Sequence, residues 1–469
     1  MIQRYWGPEM RALWETSLAK FKYWLQVEVA VLRVREEKGD IPAGTTARVS
    51  EGTWVDEQVV ELIETRDRKI GHDLNAFVEI MRLQLILGRR EFLAAALLFV
   101  NDDEVNEWAA SRLKRIGDYP DASYFHDGMT SYDTEEPAMS LLVLDSYRIV
   151  RRGLDALGIV LRERALRHKG QLMIGRTHGQ HAQPITFGVK ILNWRDMVLR
   201  AKKDLEEVAE RARVMKLSGA VGMFGTLPPE IEQGVGELLD LEPVIATQIV
   251  ALDRRAKVVV QLAVISGILE KIANDLWLMA QTEVGEIREP FGKSQKGSSA
   301  MPHKKNPIGI ENIRGCSSAV RGYAMTMLEL IATSHERDIS HSAPERLVVA
   351  DAFGVVDHQL RKLTSIIRDM DVFPDMMLRN LELTRGLIAS QRLEMILKEQ
   401  GMAAETAYRI VQAACSKAVC EGRHLRDVIL EDEEARALLP GSRDFAQVFH
   451  WLSWVAEENY IYAQQGIYD

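Results

Sequence analysis

Residues 297–307 read GSSAMPHKKNP, and the interpretation of the whole chain depends on this stretch. It begins with a glycine and two serines and ends with a proline, so a flexible start leads into a stiff end. Between them lie His303, Lys304, Lys305 and Asn306, whose side chains can all donate hydrogen bonds to an anion. The composition fits either a flexible linker or a mobile loop that binds an anionic ligand.

The residues after this loop favour the ligand-binding interpretation. Residues 308–330 contain no proline and are largely apolar, which predicts a helix. Pro307 suits the first turn of that helix, where a missing N–H group costs little. The loop is therefore expected to lead into a helix N-terminus, whose amide groups and dipole favour negative charge. A linker would separate two domains, whereas this stretch has long apolar helical patterns on both sides.

Composition excludes several classes of protein. A chain of 469 residues is long enough for two or three domains. Its formal net charge of −9 argues against a nucleic-acid binder, so an anionic substrate has to be held by local cations. The three cysteines do not form a disulfide framework, the N-terminus has no apolar signal core, and the longest apolar run, residues 92–100, is too short to span a bilayer. We therefore expect a cytoplasmic protein that binds neither nucleic acid nor membrane.

The chain has a helical pattern almost throughout, which predicts the all-α class. Its 14 prolines are separated by long stretches rich in Ala, Leu, Glu, Arg and Val. Residues 244–289 are apolar on nearly every helical face, which predicts a helix buried on all sides in a bundle core and packed against other subunits. We predict three domains: an N-terminal helical domain over 1–128, a central helix bundle over 129–373, and a C-terminal helical domain over 374–469.

Short polar motifs interrupt the helical pattern, and each has a plain structural explanation beside a functional one. Arg4-Tyr5 fits a frayed tail, His72-Asp73 a capped helix end, residues 130–133 (TSYD) a helix N-cap, and residues 335–346 (HERDISHSAPER) a solvated charged turn. In residues 175–182 (GRTHGQHA), two histidines lie three apart. A metal pair is possible there, but no third ligand follows at a suitable spacing.

Taken together these motifs resemble the adenylosuccinate lyase family of the fumarase/aspartase superfamily, whose signature loop is similar to GSSAMPHKKNP. The motifs occur in the family's order over essentially the whole chain, and GRTHGQHA resembles that family's form of the motif. The resemblance implies β-elimination of fumarate from adenylosuccinate to give AMP, and from SAICAR to give AICAR, in purine nucleotide biosynthesis. It also implies a three-domain all-α fold whose long-helix bundle forms the core of a homotetramer, and active sites shared between chains. No metal or organic cofactor is required.

The resemblance also implies roles for individual residues. His178 would be the general acid that protonates the departing purine nitrogen, with Glu311 as its partner, and Ser298 would be the base. Lys304 and Asn306 would hold the succinyl carboxylate. Further residues would line the substrate site: His72 (also in the catalytic set), Asp73, Thr130, Ser131, Gln248 and Ser299. The nucleotide, chiefly its phosphate, would be bound by Arg4, Tyr5, Arg337, Ser342 and Arg346.

The chain departs from the family pattern at three positions. Gly71 stands where Arg is common, Pro137 where Thr is common, and Trp6 where a small residue is usual. These departures bear on substrate preference more than on the chemistry. The alternatives are another superfamily lyase, argininosuccinate-lyase-like or carboxymuconate-cycloisomerase-like, and a catalytically silent helical scaffold like the lens proteins recruited from this superfamily. The first would lack Arg4, Tyr5 and Arg346 as phosphate ligands, and the second conflicts with an intact acid and base.

Overall fold

The computed structural model describes residues 3–96, 102–292, 300–440 and 443–467. Within these ranges the chain forms twenty α-helices and three small two-stranded sheets, so the all-α class is confirmed. Ser298 and Ser299 lie outside the described residues. None of the helices in the described ranges is long and apolar enough to cross a membrane.

The chain divides into two compact units. The first unit comprises Met1–Gly153, Ala201–Ser266 and Ser317–His358, and the second comprises Leu154–Arg200, Gly267–Cys316 and Gln359–Asp469. These units do not test the predicted three-domain division at residues 128 and 373, which stays a prediction.

Seven helices form the N-terminal part of the first unit: α1 (Pro8–Trp14), α2 (Leu18–Glu37), α3 (Thr45–Gly52), α4 (Glu57–Ile70), α5 (Asp73–Ala96), α6 (Asp102–Leu113) and α7 (Pro120–Tyr124). They enclose one apolar core, in which the rings of Phe21, Trp24 and Phe77 lie 5.2–5.9 Å apart between centroids. Gly71 ends α4 in the left-handed region, with φ 67°, because a residue without Cβ takes this conformation at little cost. Its backbone sets the start of α5 and hence the position of His72-Asp73.

The longer helices follow: α8 (Ser131–Arg167), α9 (Phe187–Arg211), α10 (Pro229–Leu239), α11 (Asp253–Met279), α12 (Ile308–Glu329) and α13 (Ser342–Asp369). The helix predicted over 308–330 is thus confirmed as α12. The charged turn expected over residues 335–346 is only partly correct, because α13 already begins at Ser342.

Buried polar contacts join these helices within each unit. In the first unit, Arg255 of α11 binds Glu136 of α8 and Glu345 of α13, each at 2.5 Å. In the second unit, Trp194 of α9 donates to Asp275 of α11 at 2.8 Å. These side chains fix the helices in register, as a bundle requires.

The prediction that α11 is buried on all sides is only partly correct for the single chain. Most of its apolar side chains are buried, but Val264 is 47% exposed and Leu278 is 51% exposed. Both therefore present apolar surface that the rest of the described chain leaves in solvent.

Three short strand pairs were missed by the sequence analysis. β1 (Leu172–Thr177) pairs antiparallel with β2 (Gln180–Thr186), β3 (Val214–Met215) pairs parallel with β4 (Glu242–Pro243), and β5 (Ile287–Arg288) pairs antiparallel with β6 (Asp371–Val372). The first pair was missed because its turn is His178-Gly179 instead of the Asn-Gly or Asp-Gly typical of hairpins.

The C-terminal part of the second unit is a compact set of short helices: α14 (Pro374–Glu382), α15 (Ser390–Glu399), α16 (Ala404–Glu421), α17 (Leu425–Ile429), α18 (Glu433–Leu438), α19 (Arg443–Val448) and α20 (Glu458–Gln464). All of them except α20 contribute to one cluster of aliphatic and aromatic side chains, and Ile174 of β1 belongs to the same cluster. The hairpin β1–β2 is therefore anchored on a rigid apolar surface.

Candidate active site

A buried ion pair organises the start of α8. The carboxylate of Asp133 lies 2.7 Å from the ammonium of Lys216, and both side chains are fully buried. The second oxygen of Asp133 accepts from the backbone N–H of Thr130 at 3.0 Å, and Lys216 donates to the carbonyl of Gln248 at 3.2 Å. One buried pair thus links the main chains of two predicted substrate residues. No local sequence signal singled out Lys216.

His72 lies beside Ser131. Its Nδ1 accepts from the backbone N–H of Asn75 at 3.3 Å, so it also caps α5, and the plain structural explanation holds as well. Since Nδ1 is an acceptor, the proton of the neutral ring sits on Nε2, which lies 3.5 Å from the Ser131 hydroxyl. The ring can therefore orient Ser131 or a ligand bound next to it.

A cavity of about 310 Å³ in the first unit has a charged lining of Lys20, Arg255, Arg346, Glu15, Glu64, Glu135, Glu136 and Glu345, and Asp73 pairs with two of these cations. Asp73 lies 3.2 Å from Lys20 and 3.3 Å from Arg346, and Arg346 also lies 3.5 Å from Glu135. Burial raises the pKa of the Asp73 carboxyl, but Lys20 and Arg346 outweigh it, so the net pKa is below the ordinary value. Burial, followed by the charge of Asp73, raises the pKa of Glu135 to about 7. The sequence analysis missed Lys20 and Glu135, which belong to no motif.

Arg337 is held against Tyr132. Its guanidinium donates to the Tyr132 hydroxyl at 2.8 Å and to the side-chain oxygen of Gln248 at 3.3 Å, and lies 3.9 Å from the ring centroid of Tyr132. Burial, followed by the nearby carboxylate of Glu135, raises the pKa of Tyr132 to about 12, so the phenol stays protonated near neutral pH. Ser342, the first residue of α13, hydrogen bonds to the same phenol. Tyr132 and Arg337 therefore connect Gln248 and Ser342 into one hydrogen-bonded group.

The N-terminal pair Arg4-Tyr5 does not line this cavity. Both residues belong to a short 3₁₀ helix, Gln3–Tyr5, and the Tyr5 ring packs 4.6 Å from the ring of His358. The Arg4 side chain is exposed. The pair belongs to the first unit.

The predicted acid, His178, lies at the tip of the hairpin in the second unit. Both residues of the tight turn have positive φ, 54° for His178 and 75° for Gly179, which matches a type I′ turn. A non-glycine residue with positive φ is uncommon, and such residues cluster at functional sites. The imidazole is exposed, and this turn positions it away from the apolar cluster beneath β1.

Next to its turn the hairpin is held by a buried carboxylate. Arg176 binds Glu286 with two hydrogen bonds, at 2.8 and 3.2 Å, and Asn380 donates to the same carboxylate at 2.9 Å. Burial, followed by the charge of Arg176, lowers the pKa of the neighbouring His181. Among the described residues no group of three His, Cys, Asp or Glu side chains is arranged to hold a metal ion. The two histidines of GRTHGQHA are thus one exposed ring and one neutral, partly buried ring.

At the end of the signature loop, Lys304 is exposed and Asn306 is half-buried, just before α12 begins. The N-terminal amides of α12 are occupied, because the N–H groups of Gly309 and Ile310 each donate to the Glu289 carboxylate at 3.0 Å. The expected anion site at this helix N-terminus is therefore filled by the chain's own Glu289 in this structure.

The predicted site residues are thus divided between the two units. The first unit contains Arg4, Tyr5, His72, Asp73, Thr130, Ser131, Gln248, Arg337, Ser342 and Arg346, and the second contains His178, Lys304, Asn306 and Glu311. Across the described ranges, His178 and Glu311 form no hydrogen bond with each other, so their predicted pairing stays a prediction.

Comparison with known proteins is consistent over the whole chain. A family model described as Lyase matches residues 11–322, and one described as Adenylosuccinate lyase C-terminus matches residues 386–464. The chain is 38% identical to an adenylosuccinate lyase from Thermotoga maritima, over 94% of each chain. It is 35% identical to one from Aquifex aeolicus, over 98% of each.

Solved structures agree on the fold. A fumarate lyase from Mesorhizobium sp. BNC1 superposes with a TM-score of 0.82 at 25% identity, covering 98% of both chains. A 3-carboxy-cis,cis-muconate lactonizing enzyme from Pseudomonas putida gives the same TM-score at 24% identity, covering 98% of this chain and 96% of that one. The second likeness shows the shared fold alone. The sequence identities to adenylosuccinate lyases and the match to the C-terminal family model distinguish this family from other lyases with the same fold. On these grounds the chain belongs to the adenylosuccinate lyase family.

Proposed function

We propose that this enzyme eliminates fumarate from adenylosuccinate to give AMP, and from SAICAR to give AICAR. The observation that carries the proposal is near-full-length identity of 35–38% to adenylosuccinate lyases. The first unit supports it with side chains suited to a nucleotide substrate: the guanidinium groups of Arg337 and Arg346, and hydroxyls at Thr130, Ser131 and Ser342.

In the proposed reaction a base removes a proton from the carbon next to the one that bears nitrogen, and an acid protonates the departing nitrogen. Charge then spreads into a succinyl carboxylate, where fixed cations and N–H donors stabilise it. We assign the acid to His178 and the base to Ser298. Lys304 and Asn306 hold the carboxylate. A neutral serine is a poor base, so its ionisation needs desolvation and nearby positive charge when the loop closes.

Glu311 is proposed to orient His178, and His72, Asp73, Gln248 and Ser299 to complete the substrate site. Arg4, Tyr5, Arg337, Ser342 and Arg346 are proposed to bind the nucleotide phosphate. The exposure of the His178 imidazole at the hairpin tip supports its assignment as the general acid, because a general acid has to reach its substrate.

We infer that the working form is a homotetramer with active sites shared between chains. The support is apolar surface that the described chain leaves in solvent. On α12, Met325 is 61% exposed and Leu328 is 47% exposed, and Val264 on α11 is similarly exposed. Long helices with such faces associate to bury them. A cytoplasmic location also stays a prediction, based on the sparse cysteines.

The test is a panel of four substrates with the purified full-length enzyme: adenylosuccinate, SAICAR, argininosuccinate and 3-carboxymuconate. Turnover of the first two alone is expected. Turnover of argininosuccinate or carboxymuconate, with the purine substrates inert, would transfer the assignment to another branch of the superfamily. Inertness toward all four would favour the silent-scaffold alternative.

The acid and base assignments predict that His178→Ala and Ser298→Ala each lower kcat by a factor of about 10²–10⁴. Their circular dichroism spectra should match that of the parent protein. The matched control is His450→Ala, which removes an exposed histidine in the C-terminal part of the chain. A kcat within a factor of two of the control would remove the assignment for that residue.

A further inference from the structure

A basic cleft lies in the second unit where α8 and α13 end. Its volume is about 620 Å³, within the range of small-molecule sites. Four arginines and two aspartates contribute its charged lining: Arg164, Arg167, Arg288, Arg368, Asp369 and Asp371. None of these residues belongs to the proposed active site, and the lining therefore has its own surplus of two positive charges.

Each of the two aspartates already forms an ion pair with an arginine of the lining. Asp371 binds Arg288 at 2.7 Å, and Asp369 lies 3.5 Å from Arg368. The remaining pair, Arg164 and Arg167, has no carboxylate within ion-pair distance in the described part of the chain. The surplus charge of the cleft is therefore concentrated on these two side chains of α8.

Arg164 is the more unusual of the two because it is only 7% exposed. Its Nη2 donates to the carbonyl of Met370 at 3.2 Å, but its Nε is buried without a hydrogen-bond partner. Burial, followed by the like charge of Arg167, lowers the pKa of the Arg164 guanidinium. A buried cation is normally paired, since an uncompensated one is strongly destabilising. Asp369 offsets part of this charge from a distance, but its carboxylate already lies beside Arg368, so an anion from outside the chain is needed to pair with Arg164 directly.

Helix dipoles give a partial alternative explanation. Arginines in the last turn of a helix interact favourably with its C-terminal end, which carries about −0.5 charge. Two helices end at this cleft, so their ends together offset about one of the two surplus charges. The cleft keeps a net positive charge, and the dipoles do not satisfy the buried Nε of Arg164.

We propose that this cleft binds a small organic phosphate monoester, whose dianion supplies the missing counter-charge to Arg164 and Arg167. Guanidinium groups bind phosphate oxygens through paired N–H donors, and two neighbouring guanidiniums match the charge of a dianion. Val372 and Phe373 also line the cleft and offer apolar surface to the organic part of the ligand. The site is independent of the proposed function and would exist whatever the enzyme's substrate.

Isothermal titration calorimetry of the full-length enzyme with glycerol 3-phosphate tests the proposal. The exposed Arg167 is changed to Gln, a substitution that leaves the buried packing intact, and Arg164→Gln is a second variant. Loss of one charged contact should weaken binding at the cleft about tenfold or more in each. The matched control is Arg379→Gln, which removes an exposed arginine of the same unit outside the cleft and should leave binding unchanged.

A titration with inorganic phosphate is the second experiment. If it binds as tightly as glycerol 3-phosphate, the ligand is the free anion, and the organic part of the proposal is wrong. Phosphate monoesters should also bind at the proposed active site, so Arg346→Ala separates the two: cleft binding should survive it. Glycerol 3-phosphate binding that disappears in Arg346→Ala and is unchanged in Arg167→Gln would overturn the proposal. Turnover of adenylosuccinate, measured separately, reports on the proposed function alone.

Discussion

The carboxyl group of Glu135 lies where its ionisation changes the charge of the cavity that two of the proposed phosphate ligands, Ser342 and Arg346, line. It is close to Asp73, Lys20 and Arg346. Ionisation of Glu135 adds one negative charge beside the guanidinium of Arg346, so an anion near Arg346 is attracted less strongly. The raised pKa of about 7 places this change in the neutral range.

Glu135→Gln should therefore alter the pH dependence of KM. In the parent enzyme we expect KM for adenylosuccinate to rise by up to about tenfold between pH 6 and 8. A difference of one unit between the Glu135 pKa of the free and of the substrate-bound enzyme corresponds to a tenfold difference in affinity. The Gln variant should keep the low value across this range. Glu64→Gln, at an exposed position of the same cavity, is the control and should follow the parent. Identical KM profiles for parent and Glu135→Gln would count against this role.

The same residue has a consequence for stability. A carboxyl group whose pKa is raised on folding contributes stability that is fully present below its ordinary value of 4.5. That contribution is lost as the pH rises towards 7, so the parent should lose stability over this interval relative to Glu135→Gln. Urea titrations at pH 4.5 and 8 measure the difference.

Residues in recognisable motifs could be named as candidates from the sequence. The buried residues that hold these motifs in place could not. His72 and Ser131 stand in recognisable strings, and the structure brings them within 3.5 Å of each other. Lys216 and Glu135 were missed because a single Lys or Glu in a helical or loop pattern is normally interpreted as a solvent-exposed charge. Only the fold shows that Lys216 is fully buried against Asp133.

Among the elements, the hairpin β1–β2 depends on the left-handed turn at His178-Gly179. Gly179→Ala should destabilise the turn by about 1–2 kcal/mol, because φ is 75° there although a Cβ atom would meet nothing within 4 Å. A displaced turn should also lower kcat through His178. The control is Gly158→Ala in the interior of α8, where the same change should stabilise by about 0.5–1 kcal/mol. Equal effects at both glycines would contradict the turn argument.

The long helices depend on the buried triad of Arg255, Glu136 and Glu345. Arg255→Met should cost about 3–5 kcal/mol of unfolding free energy, because it leaves two carboxylates buried without their cation. Arg254→Met, at the neighbouring less buried position, should cost less than about 1 kcal/mol. Urea denaturation of both variants gives the comparison. A cost below 1 kcal/mol for Arg255→Met would show that the triad does not stabilise the bundle.

Element prediction succeeded where apolar periodicity was strong. The helix expected after the signature loop is α12, Ile308–Glu329, and it ends one residue before the predicted limit. The TSYD stretch, expected to cap a helix, lies at the start of α8, which begins at Ser131, and Asp133 accepts from the backbone N–H of Thr130. The strand pairs were not predicted, because the strands of two of them are only two residues long and show no detectable alternation of apolar and polar residues.

For the whole molecule, shared active sites make a direct prediction. The variants His178→Ala and Ser298→Ala, each inactive alone, should regain activity when their subunits are mixed and allowed to exchange. If the two residues of one site come from different chains, random 1:1 assembly restores about one quarter of the sites. Each variant exchanged with itself is the control. No recovery, together with a monomeric sedimentation profile at micromolar concentration, would contradict the shared-site tetramer.

The central claim is that the enzyme cleaves adenylosuccinate between carbon and nitrogen. The most direct measurement follows the ultraviolet change of adenylosuccinate with the purified enzyme while fumarate and AMP are assayed separately. We predict equal amounts of both products for every adenylosuccinate consumed, and no consumption with His178→Ala. Unchanged adenylosuccinate, or its loss without fumarate, would contradict the claim and direct attention to Gly71 and Pro137 as the first determinants of a different substrate.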